Sequence, residues 1–440
     1  MKIDGNKSIA IIGGGPMGLS AAYQLSKLGL KPDLYEADDR LGGMAACFDF
    51  ANQRIERYYH FHCTKDYVFI KLLNELGLEK KLKWKYTKMG FFFNNRLYNW
   101  GSVNAVLNFP KVPLIARIRY LLFTLRCLTI KNWNHLDKIT AKKWLKKWLG
   151  SLGYEIFWSK LFHYKFFNYS EEISAAWIWS RINRLGKSRR FLKEILGYLE
   201  GGSDEFIEKI QNSIKNLGGK IYLSSRVESI TPKRKGGGIL ICGGKKLHYD
   251  LIISTIPLPL LTNIFKMGGV KKKITNIYKN CKSIACACVI FNIKKPLSKN
   301  FWININDNRF KIPGLIEMSN LRTLSGNIVY IPFYMPSTNE EYKKEDSEFI
   351  SYAWNCLKKI NKNLSDDDLI EAACNRYLYA QPICEIKQLS KLPKLNPFKG
   401  IFAIDTTFYY PEDRGISESI DFGAKIALLC LLYTSPSPRD

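Results

Sequence analysis

Ser8-Ile9-Ala10-Ile11-Ile12-Gly13-Gly14-Gly15-Pro16-Met17-Gly18, followed by a helical stretch and Asp33-Leu34-Tyr35-Glu36, decides the fold. Residues 8–12 read as a buried parallel strand. Leu19 to Leu28 reads as a helix with Gly29 as its stop, and Asp33 to Tyr35 as a second strand. Together they form a βαβ unit carrying the GxGxxG dinucleotide fingerprint. Gly13 permits the tight turn, Gly15 lets a pyrophosphate approach the backbone, and Gly18 allows close helix–strand packing. Pro16 and Met17 open the helix, whose free N–H groups and positive dipole end favour phosphate. Glu36 stands where a carboxylate accepts from the ribose hydroxyls, with Ala37 beside it.

The next residues, Asp38-Asp39-Arg40-Leu41-Gly42-Gly43-Met44, choose among dinucleotides. An arginine and a glycine doublet directly after the acidic residue resemble the second dinucleotide motif of FAD enzymes. The doublet admits backbone close to an extended cofactor, and Arg40 compensates phosphate charge.

The 440 residues are 46% apolar, enough to bury a large core and to exclude a disordered or disulfide-stapled chain. Subtracting 39 Asp+Glu from 67 Lys+Arg leaves a formal charge of +28, which calls for anionic company. Nucleic acid is one candidate, but no RNP, zinc-finger, helix-turn-helix or homeodomain pattern supports it. The 11 cysteines are scattered without a CxxC pair, as expected of reduced thiols without a metal site. The N-terminus runs straight into the glycine turn with no secretory leader pattern, and no apolar run reaches bilayer-spanning length. A cytoplasmic protein is the expected setting, either free or peripheral to the inner face of the cytoplasmic membrane. Tyr433-Thr-Ser-Pro-Ser-Pro-Arg-Asp440 breaks the preceding helical pattern, and residues 431–440 read as a non-native tail.

Further motifs run along the chain: Arg54-Ile55-Glu56-Arg57-Tyr58-Tyr59-His60-Phe61, Gly197-Tyr198-Leu199-Glu200-Gly201-Gly202-Ser203, Arg226-Val227-Glu228-Ser229-Ile230, and Tyr410-Pro411-Glu412-Asp413-Arg414-Gly415-Ile416-Ser417-Glu418-Ser419-Ile420. With the N-terminal unit, they resemble the flavin-containing amine oxidase superfamily, which spans protoporphyrinogen oxidases, carotenoid desaturases and monoamine oxidases. The nearest likeness is to bacterial protoporphyrinogen-oxidase-like members. The resemblance implies an α/β fold: a Rossmann-like FAD-binding domain, a mixed-sheet substrate domain and a helical cap insertion. It also implies an FAD-dependent oxidoreductase transferring hydride from an apolar tetrapyrrole, polyprenyl-like or amine substrate. On this likeness Val227 meets the adenine. Asp405, ending the strand Gly400 to Asp405, holds the ribityl or pyrophosphate region. The usual Gly-Asp ending is Ile404-Asp405 here. Glu412, Arg414, Gly415 and Ile416 border the flavin. No cysteine lies between Asp405 and Arg414, so non-covalent FAD is expected. The bacterial phytoene desaturase glycine-rich C-terminal box is missing. The Tyr410 to Gly415 run also resembles UDP-galactopyranose mutase, whose flavin chemistry is redox-neutral, and a nucleotide-sugar or glycolipid enzyme is the alternative.

The motifs imply a discontinuous layout. Residues 1–84, 197–262 and 396–430 form the FAD domain, 85–110 and 263–395 the substrate domain, and 111–196 the cap. Within the first, Phe206 to Leu217 reads as a helix capped by Ser203 or Asp204. In the cap, the helical wheel of Leu114 to Ile130 gathers Leu114, Ile115, Ile118, Leu121, Leu122, Leu125 and Leu128 on one arc. Arg119 and Arg126 edge one side, Arg117 the other. Such a stripe suits either an anionic membrane surface or the cap's own core. In Thr140 to Gly150, Trp144, Leu145, Trp148 and Leu149 make an apolar face directed at the core, and Gly150 a stop.

FAD carries the difficult chemistry in such enzymes, and no catalytic triad or metal site is visible. No residue is assigned a catalytic role; His60 and His62 share a face if their segment is a strand, and serve either a structural role or substrate contact and proton transfer. Trp158, Phe162, Tyr164, Phe166, Phe167, Tyr169, Trp177 and Trp179 either line a substrate pocket or fill the cap. Nothing in the sequence sets an oligomeric state.

Overall fold

The computed structural model describes residues 7–190 and 193–434. Five parallel strands form the nucleotide-binding sheet, in the order Lys220–Tyr222, Asp33–Tyr35, Ile9–Ile12, Leu251–Ser254, Ile401–Ala403. The central strands are buried on both faces, which explains their unbroken apolar runs. Helix α1 (Pro16–Lys27) begins ahead of the predicted Leu19, because Pro16 at its first turn has a preset φ and no amide to satisfy. The helix Ser203–Asn216 also starts early, after Gly202 in a left-handed conformation (φ +75°). Neither Ser203 nor Asp204 caps it. The Glu56 carboxylate does so from outside, accepting from Ser203 N at 3.0 Å.

A second sheet has seven strands: Leu369–Pro382, Ser283–Ile293, Asn327–Met335, Gly314–Glu317, Trp302–Asn306, Met89–Phe93, Arg96–Trp100. It is mixed, since Trp302–Asn306 runs parallel to Met89–Phe93 while the other pairs are antiparallel. Strand alternation assigns its faces. Ala285, Ala287, Val289, Phe291 and Ile293 pack in the core containing Trp354 of the helix Asp346–Ile360. Ile284, Cys286, Cys288 and Ile290 join the core of the cap.

The cap contains α2 (Leu114–Thr129), α3 (Ala141–Tyr154), α4 (Lys160–Phe166) and α5 (Ala175–Lys187). Trp144, Leu145 and Leu149 of α3 are buried. Gly150 interrupts the helix with a left-handed kink (φ 74°, ψ 170°) and the turn resumes to Tyr154, so the glycine bends rather than stops it. Phe162, Phe166 and Trp177 are among the largest fully buried side chains.

In α2, Phe123 and Cys127 face inward; Phe123 packs on Trp144 with ring centroids 4.8 Å apart. The predicted apolar stripe faces outward: Ile115 is 72% exposed, Leu125 58%, Leu114 55% and Leu122 52%. Two of its three arginines are held by backbone carbonyls: Arg117 by Val112 and Leu107, Arg119 by Trp148 and Lys147.

The helix Ile416–Thr434 packs on α1, with Ser20 Oγ donating to the Ile420 carbonyl at 2.7 Å. It runs beyond Cys430, where the tail was expected to begin; residues 435–440 lie outside the described region. No described helix is long and apolar enough to cross a membrane.

Candidate active site

The carboxyl ends of the parallel strands converge on one side of the nucleotide-binding sheet, where ligands bind in open α/β folds. There a cavity of about 1170 Å³ opens between that sheet and the seven-stranded one. One end is lined by Gly13, Gly15, Pro16, Met17, Glu36, Ala37, Gly43, Met44, Val227, Asp405, Gly415 and Ile416, while Arg414 lines the cavity where it meets Tyr334 of the large sheet. A Cβ on Gly15 would meet nothing within 4 Å, so its backbone faces open space. Glu36 shapes the rim: Gly14 N donates to its Oε2 at 2.6 Å and Asp38 N to its Oε1 at 2.8 Å. Asp405 is buried and accepts from Leu258 N and Thr407 N, each at 2.8 Å. It thus fixes the start of the helix Leu258–Met267 as well as its own turn.

Four of the expected cofactor-binding residues do not line the cavity. Gly18 is a packing residue, since a Cβ there would lie 1.9 Å from the Gly13 carbonyl oxygen. Gly42 (φ +111°) lets the chain turn against Ile207. Arg40 pairs with Asp39 at 2.7 Å and donates to the Cys47 carbonyl at 3.1 Å, so it is held outside. Arg57, 2.6 Å from Asp38, and Arg226 bring guanidinium groups to the lining instead. Glu412 accepts from Ser180 of α5 and braces the cap.

The other end of the cavity rests on the large sheet. Strand register sets Tyr377, Cys286 and Tyr334 in one row and Asn375, Cys288 and Pro332 in the next, all on the cavity wall. Burial pushes the Cys286 thiol up to about 12 and Cys288 well above its ordinary value, so both stay protonated. Tyr59, His60, Phe61 and Trp302 complete the wall.

His60 and His62 do not share this cavity. Their segment is not a strand; only an isolated bridge joins His62 to Gly197. The His62 ring stacks on Phe69 at 4.4 Å, and burial lowers its pKa to about 4. His60 lines the cavity, its Nδ1 buried without a hydrogen-bond partner, and burial lowers its pKa.

The cap contributes Lys165, Arg181 and Arg184 to the lining, and none of the eight aromatic residues considered above. Those rings therefore build the cap, and charges reach the cavity. Arg181 pairs with Asp413, whose Oδ2 lies 4.0 Å from Lys165 Nζ. Arg414 donates to the Tyr334 hydroxyl at 2.7 Å. These cap cations were missed in the sequence. Their one signal is charge inside aromatic runs: Lys165 among Phe162, Tyr164 and Phe166, and Arg181 after Trp177 and Trp179. Among the described residues no His, Cys, Asp or Glu cluster is arranged to hold a metal.

Known structures share this architecture. A proposed protoporphyrinogen oxidase from Exiguobacterium sp. 255-15 superposes with a TM-score of 0.74, covering 97% of this chain and 99% of its own, at 16% identity. Reduced UDP-galactopyranose mutase superposes with a TM-score of 0.75 over 98% of this chain and 97% of its own, at 17% identity. At such identities the likeness is one of fold. In sequence, the 15-cis-phytoene desaturase of Glycine max is 27% identical over 282 residues, 58% of this chain and 48% of that protein. The chain thus spans about half the length of that relative. The family profile described as flavin containing amine oxidoreductase matches residues 18–377, most of the length over which the two sheets and the cavity are built, and the chain belongs to that family.

Proposed function

We propose that this chain is an oxidoreductase that holds FAD non-covalently and dehydrogenates a C–C or C–N bond of a substrate with an apolar body. The observation that carries this reading is the continuity of one cavity, from the fingerprint glycines to the aromatic wall of the large sheet. Its donors and surfaces fit a flavin dinucleotide. Gly15 leaves room for a pyrophosphate, and α1 aims its free N–H end at the same space. The Glu36 oxygens keep lone pairs for ribose hydroxyls. The thiols of Cys286 and Cys288 are protonated and poor nucleophiles, which supports non-covalent binding.

FAD, when bound, supplies the two-electron acceptor for a hydride. The chain's own residues orient the substrate and exclude water. Tyr59, Trp302, Pro332 and Tyr334 form an apolar slot. His60 lines the cavity with its pKa lowered by burial, and is the group that takes the proton released from the substrate.

Purified protein is expected to show flavin absorbance that denaturation releases into solution. An anaerobic screen of tetrapyrroles, polyprenyl lipids, amines and nucleotide sugars should then find one class that bleaches the flavin stoichiometrically. Protein unable to take up FAD would overturn the reading. Turnover of a nucleotide sugar that needs pre-reduced flavin, with no net bleaching, would favour the mutase-like alternative.

We also propose that the cap rests on an anionic membrane. The support is the outward apolar stripe of α2, with exposed Arg126 at its edge and Lys147 beside Arg119, on a chain of charge +28. The cytoplasmic setting on the inner membrane face stands as part of this proposal.

A further inference from the structure

Lys165 from α4, Arg181 from α5, and Asp413 and Arg414 from the segment before the last helix meet at the substrate end of the cavity. The cluster holds three cations and one carboxylate. Asp413 is shared: it pairs with Arg181, accepts from Gln381 Nε2 at 3.1 Å, and lies 4.0 Å from Lys165. Arg181 is held with its guanidinium 5.8 Å from the Trp302 ring centroid and 5.9 Å from that of Trp177. Lys165 is 7% exposed and hangs over the rings of Trp177 and Tyr334, at 5.1 and 5.4 Å. Arg414 uses Nη2 on Tyr334, while its Nη1 is buried with no hydrogen-bond partner. A buried guanidinium nitrogen without an acceptor is costly unless a ligand provides one. The neighbouring Arg184 does not add to the excess, because Asp66 pairs with it at 2.8 Å and Glu418 lies 4.0 Å away.

We infer that this cluster is an oxyanion subsite, taking a carboxylate or phosphate of the substrate between Lys165 Nζ and Arg414 Nη1. The inference rests on the proposed oxidoreductase reading and narrows its substrate class to a molecule with an apolar body and an acidic group. A protonated amine would meet like charge at the same position. A planar guanidinium suits either oxyanion by its fork geometry, so the two acids share one chemistry here.

Calorimetric titration of the FAD-loaded protein tests this with three small aromatic probes: benzoate, phenyl phosphate and benzylamine. Flavin absorbance is recorded on the same samples. Benzoate, phenyl phosphate or both are expected to bind, and whichever binds more tightly names the acid; benzylamine is expected not to. Lys165→Met should weaken the anion by about tenfold or more, the scale of a lost charged hydrogen bond. Lys165→Arg should retain binding. Asp413→Asn, which removes the competing carboxylate, should tighten it, a direction that damage to the fold does not produce. Benzylamine binding as tightly as the anions, or unchanged anion affinity in Lys165→Met, would overturn the subsite. Anion binding to a chain that takes up no flavin would sustain the subsite while removing the oxidoreductase reading.

Discussion

Gly15 and Gly18 sit three residues apart and answer to different constraints. A side chain at Gly15 has free space but would occupy the nucleotide's place; one at Gly18 collides with the Gly13 carbonyl. Gly15→Val should therefore fold with a melting temperature near that of the flavin-free parent and take up no FAD. Gly18→Ala should lose about 1–3 kcal/mol of stability by overpacking, read in thermal or denaturant unfolding. His60→Gln should keep its flavin and slow anaerobic flavin reduction by about 10²-fold or more. Lys165 gives a pH signature. Burial, then Arg181, holds its pKa well below the ordinary lysine value; Asp413 opposes this, while Arg414 reinforces it. A bound anion raises that pKa, so benzoate binding should take up a proton. Its affinity should then fall as pH rises through the depressed lysine pKa, where Lys165 in the free subsite loses its charge. Calorimetry in buffers of different ionisation heat would detect that uptake. The nucleotide cradle was legible in sequence because it is written in consecutive backbone requirements. The cation cluster was not, since residues 165, 181, 413 and 414 meet through tertiary folding and follow no spacing rule.

Helices expose what periodicity leaves open. The α2 stripe was visible on a wheel, but α2 is apolar on two faces, and packing decided between them. Tyr120, Phe123 and Cys127 turned inward, where Trp144 meets Phe123 and the Cys127 carbonyl accepts from Trp179 Nε1 at 2.9 Å. Larger aromatic area on that face outweighs the leucines on the other. Gly150 gives this scale a second test. Its φ and ψ fall in a region open essentially to glycine alone. Gly150→Ala should cost about 1–3 kcal/mol and loosen α3 at its kink, detectable as faster amide exchange around Ser151.

At the scale of the molecule, the proposed membrane contact makes a direct prediction. On anionic liposomes, an Ile115→Ser/Leu122→Ser/Leu125→Ser variant should co-sediment far less than the parent. It should keep its melting temperature, because those side chains are exposed. Equal co-sedimentation would count against membrane docking. Replacing Arg117 or Arg119 is a poorer probe, as both hold backbone carbonyls of the cap. The two-sheet architecture could be anticipated because its motifs recur from one end of the chain to the other. Which strands border the cavity could not, because that depends on register across Ser283–Ile293, Asn327–Met335 and Leu369–Pro382.

The parallel sheet also imposes an order in time. Its centre is made from residues 9–12, but its outer strand comes from Ile401–Ala403, and Asp405 with Arg414–Ile416 supplies the final wall of the cavity. During synthesis the strand Leu251–Ser254 waits with an open edge while five of the seven strands of the large sheet are made. The strand Ile401–Ala403 and the cavity wall at Asp405 and Arg414–Ile416 are thus added after every other strand of both sheets has emerged. Until then the nascent chain carries an unpaired, wholly buried-type strand edge of the kind that chaperones shield.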